Sequence, residues 1–159
     1  MRIGVYGLGR IGLMHARNAA LAEGVTEVVL IGRDADRLEK ARAAVQAMLD
    51  EAGGTSAPLV TTLAPLEETL AQLDGVIIAT ATSTHADLAR VVAASGTPLL
   101  IEKPLALEAD ELQTLSEELE ATGTPIMVAF QRRYDPGYQG LRQRVQDGEV
   151  GPLRTLAAH

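Results

Sequence analysis

Three glycines, Gly7, Gly9 and Gly12, stand in the spacing G-x-G-x-x-G directly after the apolar run Ile3 to Tyr6. Gly7 permits a tight turn out of a strand, Gly9 lacks the Cβ that would hold a pyrophosphate away from the backbone, and Gly12 lets a following helix pack close to a sheet. A helix over about Arg10 to Ala22 would aim its free N–H groups and positive dipole end at the phosphates. Leu8, Arg10 and Ile11 complete the loop. Strand, glycines and amphipathic helix in that order make a dinucleotide site of an otherwise weak motif. Two further stretches hold residue types fit for chemistry. Thr80, Thr82 and Ser83 precede His85, either as a hydroxyl-rich loop lining a cofactor or as a capping cluster at a helix start. Lys103 and the pair Arg132 and Arg133 follow short apolar runs, at strand ends where open α/β sheets place their ligands. On residue type alone, Lys103 reads equally as a solvated loop lysine, and Arg133 as a partner of Asp135 or Glu149.

The elements that must position these groups alternate regularly. Strands are expected at Ile3 to Tyr6, Thr26 to Ile31, Leu59 to Leu63, Gly75 to Ala79, Pro98 to Ile101 and Pro125 to Phe130. Helices follow each of them, the second capped by Asp34 and carrying the stripe Leu38, Ala41, Val45, Met48 and Ala52. Glycines 53, 96, 123 and 148 stop four of the helices. Six strands alternating with helices predict an α/β fold, a doubly wound parallel six-stranded Rossmann sheet. Gly151 to His159 reads as the start of a seventh strand.

Composition narrows the partners. The 159 residues are 47% hydrophobic and 22% charged, enough for one domain with a real core. Aromatics make up only 3%, so that core must be built from Ala, Leu, Val and Ile. A net charge of −7 repels a polyphosphate backbone and argues against nucleic acid. No apolar run approaches the ~20 residues of a membrane span, and a cytoplasmic protein is expected. With no cysteine and no cluster of His and carboxylates at ligand spacing, thiolate chemistry is excluded and a metal site is not expected.

Four blocks carry a family resemblance. Gly7-Leu8-Gly9-Arg10-Ile11-Gly12 with His15-Ala16, Ala79-Thr80-Ala81-Thr82-Ser83-Thr84-His85-Ala86, Glu102-Lys103-Pro104-Leu105, and Phe130-Gln131-Arg132-Arg133-Tyr134-Asp135-Pro136 resemble the Gfo/Idh/MocA oxidoreductases. The last block is most similar to the inositol 2-dehydrogenase branch. The resemblance implies a nicotinamide-binding Rossmann domain over residues 1–150, then a larger α/β domain bearing most of the substrate site, of which residues 151–159 would be the first strand. It implies that Lys103 contacts a substrate hydroxyl and takes part in its deprotonation while hydride passes to the nicotinamide, with Glu102 helping to hold cofactor and lysine. A lysine serves in this way where burial and a cationic ring disfavour its ammonium form. Cofactor contacts are expected at Gly7, Leu8, Gly9, Arg10, Ile11, Gly32, Arg33, Ala79, Thr80, Thr82, His85, Glu102 and Lys103, and a substrate contact at Arg133. The family's principal acid/base is a histidine of the second domain. His15 reads as a packing or supporting residue, and His159 receives no role. Ala81 stands where the family usually has proline.

Cofactor preference is read at the end of the second strand. Aligned on the family pattern, Leu30-Ile31-Gly32-Arg33-Asp34 puts Gly32 where an acid normally accepts hydrogen bonds from the ribose 2′-OH, and Arg33 directly after it. NADP(H) is therefore preferred over NAD(H), with Asp34 spent as an N-cap. The whole reads as the cofactor domain of an NAD(P)-dependent dehydrogenase of polyols or sugars, inactive by itself. The other reading is a dinucleotide sensor without turnover. These residues alone are expected to be monomeric or weakly dimeric, and the full-length protein a homo-oligomer through its second domain.

Overall fold

The computed structural model describes residues 1–152. Its backbone divides into two compact units, Met1 to Ala129 and the residues from Phe130 on. The first unit holds β1 (Arg2–Tyr6), α1 (Arg10–Ala20), β2 (Glu27–Ile31), α2 (Ala35–Ala52), β3 (Leu59–Thr62), α3 (Leu66–Leu70), β4 (Gly75–Ile78), α4 (His85–Ser95), β5 (Leu99–Ile101), α5 (Ala109–Ala121) and β6 (Ile126–Val128). The second holds a short 3-10 turn, Gln131–Tyr134, and α6 (Pro136–Gln146). The six strands form one parallel sheet in the order β3-β2-β1-β4-β5-β6. The expected seventh strand lies outside the described residues.

Alternation along the strands sorts side chains onto two layers. In β2, Val28 and Leu30 join the cluster beneath α1 and α2, with Val5, Ala16, Ala20, Leu38, Val45 and Leu49. Val29 and Ile31 join the opposite cluster, where α3, α4 and α5 supply Leu66, Leu70, Ala89, Val92, Leu115 and Leu119. Alanines at the helix contacts let backbones approach closely, which is how a chain so poor in aromatics fills its core. Pro58, Pro98 and Pro125 stand just before β3, β5 and β6. Each lends only a carbonyl to the ladder, to Val28, Val76 and Leu99, as a residue without an N–H must. This is why β5 and β6 begin one residue later than the apolar runs suggest.

The stripe of α2 differs from the expected one. Leu38, Ala41, Val45 and Leu49 are buried, while Met48 is half-buried and Ala52 exposed. At 3.6 residues per turn, Leu49 returns to within about 20° of Leu38, whereas Met48 lies about 80° round. No helix among the described residues is long and apolar enough to cross a membrane.

Candidate functional site

The glycine loop closes over the end of β1. Gly7 has φ +98°, which favours glycine, and a Cβ there would lie 2.4 Å from the Ala79 carbonyl carbon. A Cβ on Gly12 would come within 1.8 Å of the Gly7 oxygen, so α1 sits against the loop only because residue 12 has no side chain. Gly9 is the opposite case. Its φ is −79° and a Cβ there would meet no protein atom within 4 Å, so the fold itself does not require glycine. An approaching ligand backbone would require it. Gly9 is also the N-cap of α1 with no side chain to cap it, which leaves first-turn N–H donors of Arg10 and Ile11 for an anion. α2 and α6, by contrast, are capped by Asp34 and Asp135. The residues present therefore fit a dinucleotide.

A cleft of about 550 Å³ runs from this loop to the end of β2, bringing together Gly7, Leu8, Gly9, Gly32, Arg33 and Thr80. It also gathers two cations that sequence reasoning missed, Arg37 and Lys40. Arg37 and Lys40 stand three residues apart in the first turns of α2, which puts them on neighbouring positions of one helix face. Asp34 lines the cleft too, but its Oδ1 accepts the Arg37 backbone N–H at 2.8 Å, the N-cap role expected of it. Glu39, between these cations in sequence, is drawn to Arg42 at 2.6 Å, and that hydrogen bond holds its carboxyl below the usual carboxylate range. Among the described residues, Arg33, Arg37 and Lys40 carry no ion pair. A Cβ on Gly32 would press on Leu38 at 3.1 Å, so a larger residue there would have to displace a core leucine.

After β4, Ala79, Thr80 and Thr82 lead into α4. The Thr84 hydroxyl donates to the Ala81 carbonyl at 2.8 Å. Its one proton is thereby used, so in the 2.7 Å pair with Thr80 it is Thr80 that donates. These hydroxyls brace the loop around Ala81. His85, expected to line the cofactor, is 1% exposed and turned inward, with Nδ1 2.8 Å from the Pro104 carbonyl and Nε2 3.3 Å from that of Thr80. Its ring ties the β4–α4 loop to the turn after β5 and sits beneath the loop, because α4 starts at residue 85 and points its first side chain into the core.

That turn holds Glu102 and Lys103. The Glu102 backbone N–H donates to Ile78 at 2.9 Å, its Oε2 accepts the Lys103 N–H at 3.2 Å, and its Oε1 lies 2.9 Å from His15 Nε2. Sequence reasoning foresaw the glutamate beside the lysine but not its histidine partner. Lys103 itself is exposed.

In the second unit, Arg133 places its guanidinium 5.4 Å from the Phe130 ring centre. The two acids read as its alternative partners are otherwise engaged. Asp135 accepts the Gly137 and Tyr138 N–H groups, and Glu149 pairs with Arg144 at 2.7 Å.

Residues 1–130 match the model of an oxidoreductase family with an NAD-binding Rossmann fold. The chain is 34% identical over 151 residues to the scyllo-inositol 2-dehydrogenase (NAD(+)) of Bacillus subtilis, covering 95% of this chain and 42% of that protein. It is 36% identical over 163 residues to an inositol 2-dehydrogenase of Cereibacter sphaeroides, covering 100% of this chain and 45% of that one. Among solved structures, a myo-inositol dehydrogenase from Corynebacterium glutamicum superposes with TM-score 0.72 at 32% identity, over 97% of this chain and 43% of the other. A scyllo-inositol dehydrogenase from Lactobacillus casei, solved with bound NAD(H) and scyllo-inositol, shares the fold with TM-score 0.76 at 21% identity, over 95% of this chain and 42% of that one. The chain thus spans less than half the length of these relatives.

Proposed function

The chain belongs to the Gfo/Idh/MocA oxidoreductase family, and from that premise we propose that it is the cofactor-binding part of an NAD(P)-dependent dehydrogenase of polyols or sugars, inositol-like in substrate class and with NADP(H) preferred. The observation that carries the proposal is one cleft joining the Gly7 to Gly9 backbone at the start of α1 to Arg33 after β2 and Arg37 and Lys40 of α2, none of which has an ion pair among the described residues. When bound, the dinucleotide supplies a hydride acceptor or donor.

The chain's own residues bind and orient. The Gly7 to Gly9 backbone and the first-turn N–H groups of α1 take the pyrophosphate, and Thr80, braced by Thr84, lines the path. Arg33, Arg37 and Lys40 take a ribose 2′-phosphate through charge-assisted hydrogen bonds. Lys103 Nζ meets the substrate hydroxyl and moves its proton, and Arg133 contacts the substrate through its fork of donors. Exclusion of water and the principal acid/base fall to the part of the relatives that this chain does not span. Dinucleotide binding by calorimetry without turnover of myo-inositol or glucose supports this reading, and substantial dehydrogenase turnover by the purified chain overturns its second half.

A further inference from the structure

We propose that His15 is a positioning residue that keeps the Glu102 carboxylate away from the Lys103 side chain, so that the lysine stays available to a substrate hydroxyl. The inference rests on the role given to Lys103 above. It starts from a contact between residues 87 apart in sequence, His15 Nε2 to Glu102 Oε1 at 2.9 Å, between side chains only 20% and 19% exposed. A carboxylate can only accept, so Nε2 carries the proton and donates. The other oxygen, Oε2, accepts the Lys103 backbone N–H at 3.2 Å. Both oxygens of Glu102 are thereby engaged, one by a helix on the far side of the turn and one by the main chain. The Glu102 N–H is fixed on Ile78, which sets the direction in which the carboxylate leaves the strand. Among the described residues, Lys103 has no ion pair, although a carboxylate is its immediate neighbour.

Without the imidazole, Oε1 loses its partner in a largely enclosed position. The nearest cation along the chain is the lysine itself, and an ion pair there would hold the lysine as its ammonium. His15 lies one turn beyond Gly12, on the helix whose first turn faces the phosphates, so the helix that receives the cofactor also restrains the glutamate.

The chain has two lysines, Lys40 and Lys103, so Lys40 serves as an internal reference. Trace acylation with acetic anhydride at mildly alkaline pH, read by peptide mass spectrometry, gives the Lys103 to Lys40 labelling ratio. His15→Leu is expected to lower that ratio about three- to tenfold. His15→Gln, which can place an amide N–H where Nε2 stands, should leave it within about twofold of the parent. The double variant His15→Leu with Glu102→Gln should restore it, a rescue that a purely structural role for His15 does not produce. An unchanged ratio in folded His15→Leu, or failure of Glu102→Gln to restore it, overturns the proposal. The parent chain gives an independent reading if the leucine variant does not fold: its imidazole 15N spectrum must show a protonated Nε2 that shifts in Glu102→Gln, and an unprotonated Nε2 overturns the proposal. None of these readings needs cofactor, so a failed dinucleotide titration would sink the functional reading separately.

Discussion

Gly9→Ala and Gly12→Ala should fail for opposite reasons, and the difference separates a glycine kept for the ligand from one kept for the fold. At Gly9 the backbone is at φ −79° and ψ −174°, which any residue adopts, and the added methyl meets no protein atom within 4 Å. Losing glycine at an N-cap costs a few tenths to about 1 kcal/mol. Restricting the unfolded chain returns about 0.4–1 kcal/mol. The terms nearly cancel, so the melting temperature should move by no more than about 3 °C. Dinucleotide affinity should nevertheless fall under the role proposed for Gly9, because a methyl there would stand between an approaching pyrophosphate and the first-turn N–H groups. Losing one charge-assisted hydrogen bond costs about 1.5–3 kcal/mol, or roughly ten- to hundredfold in Kd. At Gly12 the added Cβ would lie 1.8 Å from the Gly7 oxygen, about 1.5 Å inside an ordinary carbon to oxygen contact. Helix or loop must shift, at about 1–3 kcal/mol or more, which lowers the melting temperature by about 2–12 °C. Thermal melts and calorimetric titration with NADP+ read both variants. A Gly9→Ala protein that binds within threefold of the parent would refute the assignment of Gly9 to ligand approach.

Two other variants test the neighbouring elements. Asp34→Ala removes the cap of α2 and should cost about 1 kcal/mol in urea unfolding, yet NADP+ affinity should hold or rise, because a carboxylate leaves the cleft; a tenfold loss of affinity would show that Asp34 contacts the ribose. His85→Phe removes a ring set between the Thr80 and Pro104 carbonyls, to one of which a neutral imidazole donates, and should cost about 1–3 kcal/mol in the same assay, so unchanged stability would mean that the ring does not tie the two loops.

The layered fold was legible because strands buried on both faces read as continuous apolar runs, and EVVLI and GVII do. The glycine loop was legible because two of its requirements are local, the positive φ of Gly7 and the close approach of Gly12 to the Gly7 oxygen. Cross-chain pairings were not. His15 and Glu102 meet through the rotation of α1 about its axis relative to β5, which residue spacing alone does not encode. Arg37 and Lys40 line the cleft from α2, a placement that depends on how α2 packs beside the glycine loop and not on its start alone. The placement of His85 was not legible either: its hydroxyl-rich neighbours read as a loop lining the cofactor or as a capping cluster, and the orientation of the first turn of α4 sets the ring inside.

Comparative calorimetric titration of NADP+ and NAD+ into the parent chain and into Arg33→Ala tests the central claim most directly. Arg33, Arg37 and Lys40 line the cleft without carboxylate partners among the described residues, so the parent should bind NADP+ roughly ten- to hundredfold more tightly than NAD+. Arg33→Ala should lose most of that preference while its NAD+ affinity stays nearly constant. Equal affinities, or tighter binding of NAD+ by the parent, would contradict the assignment of the end of β2 to a 2′-phosphate.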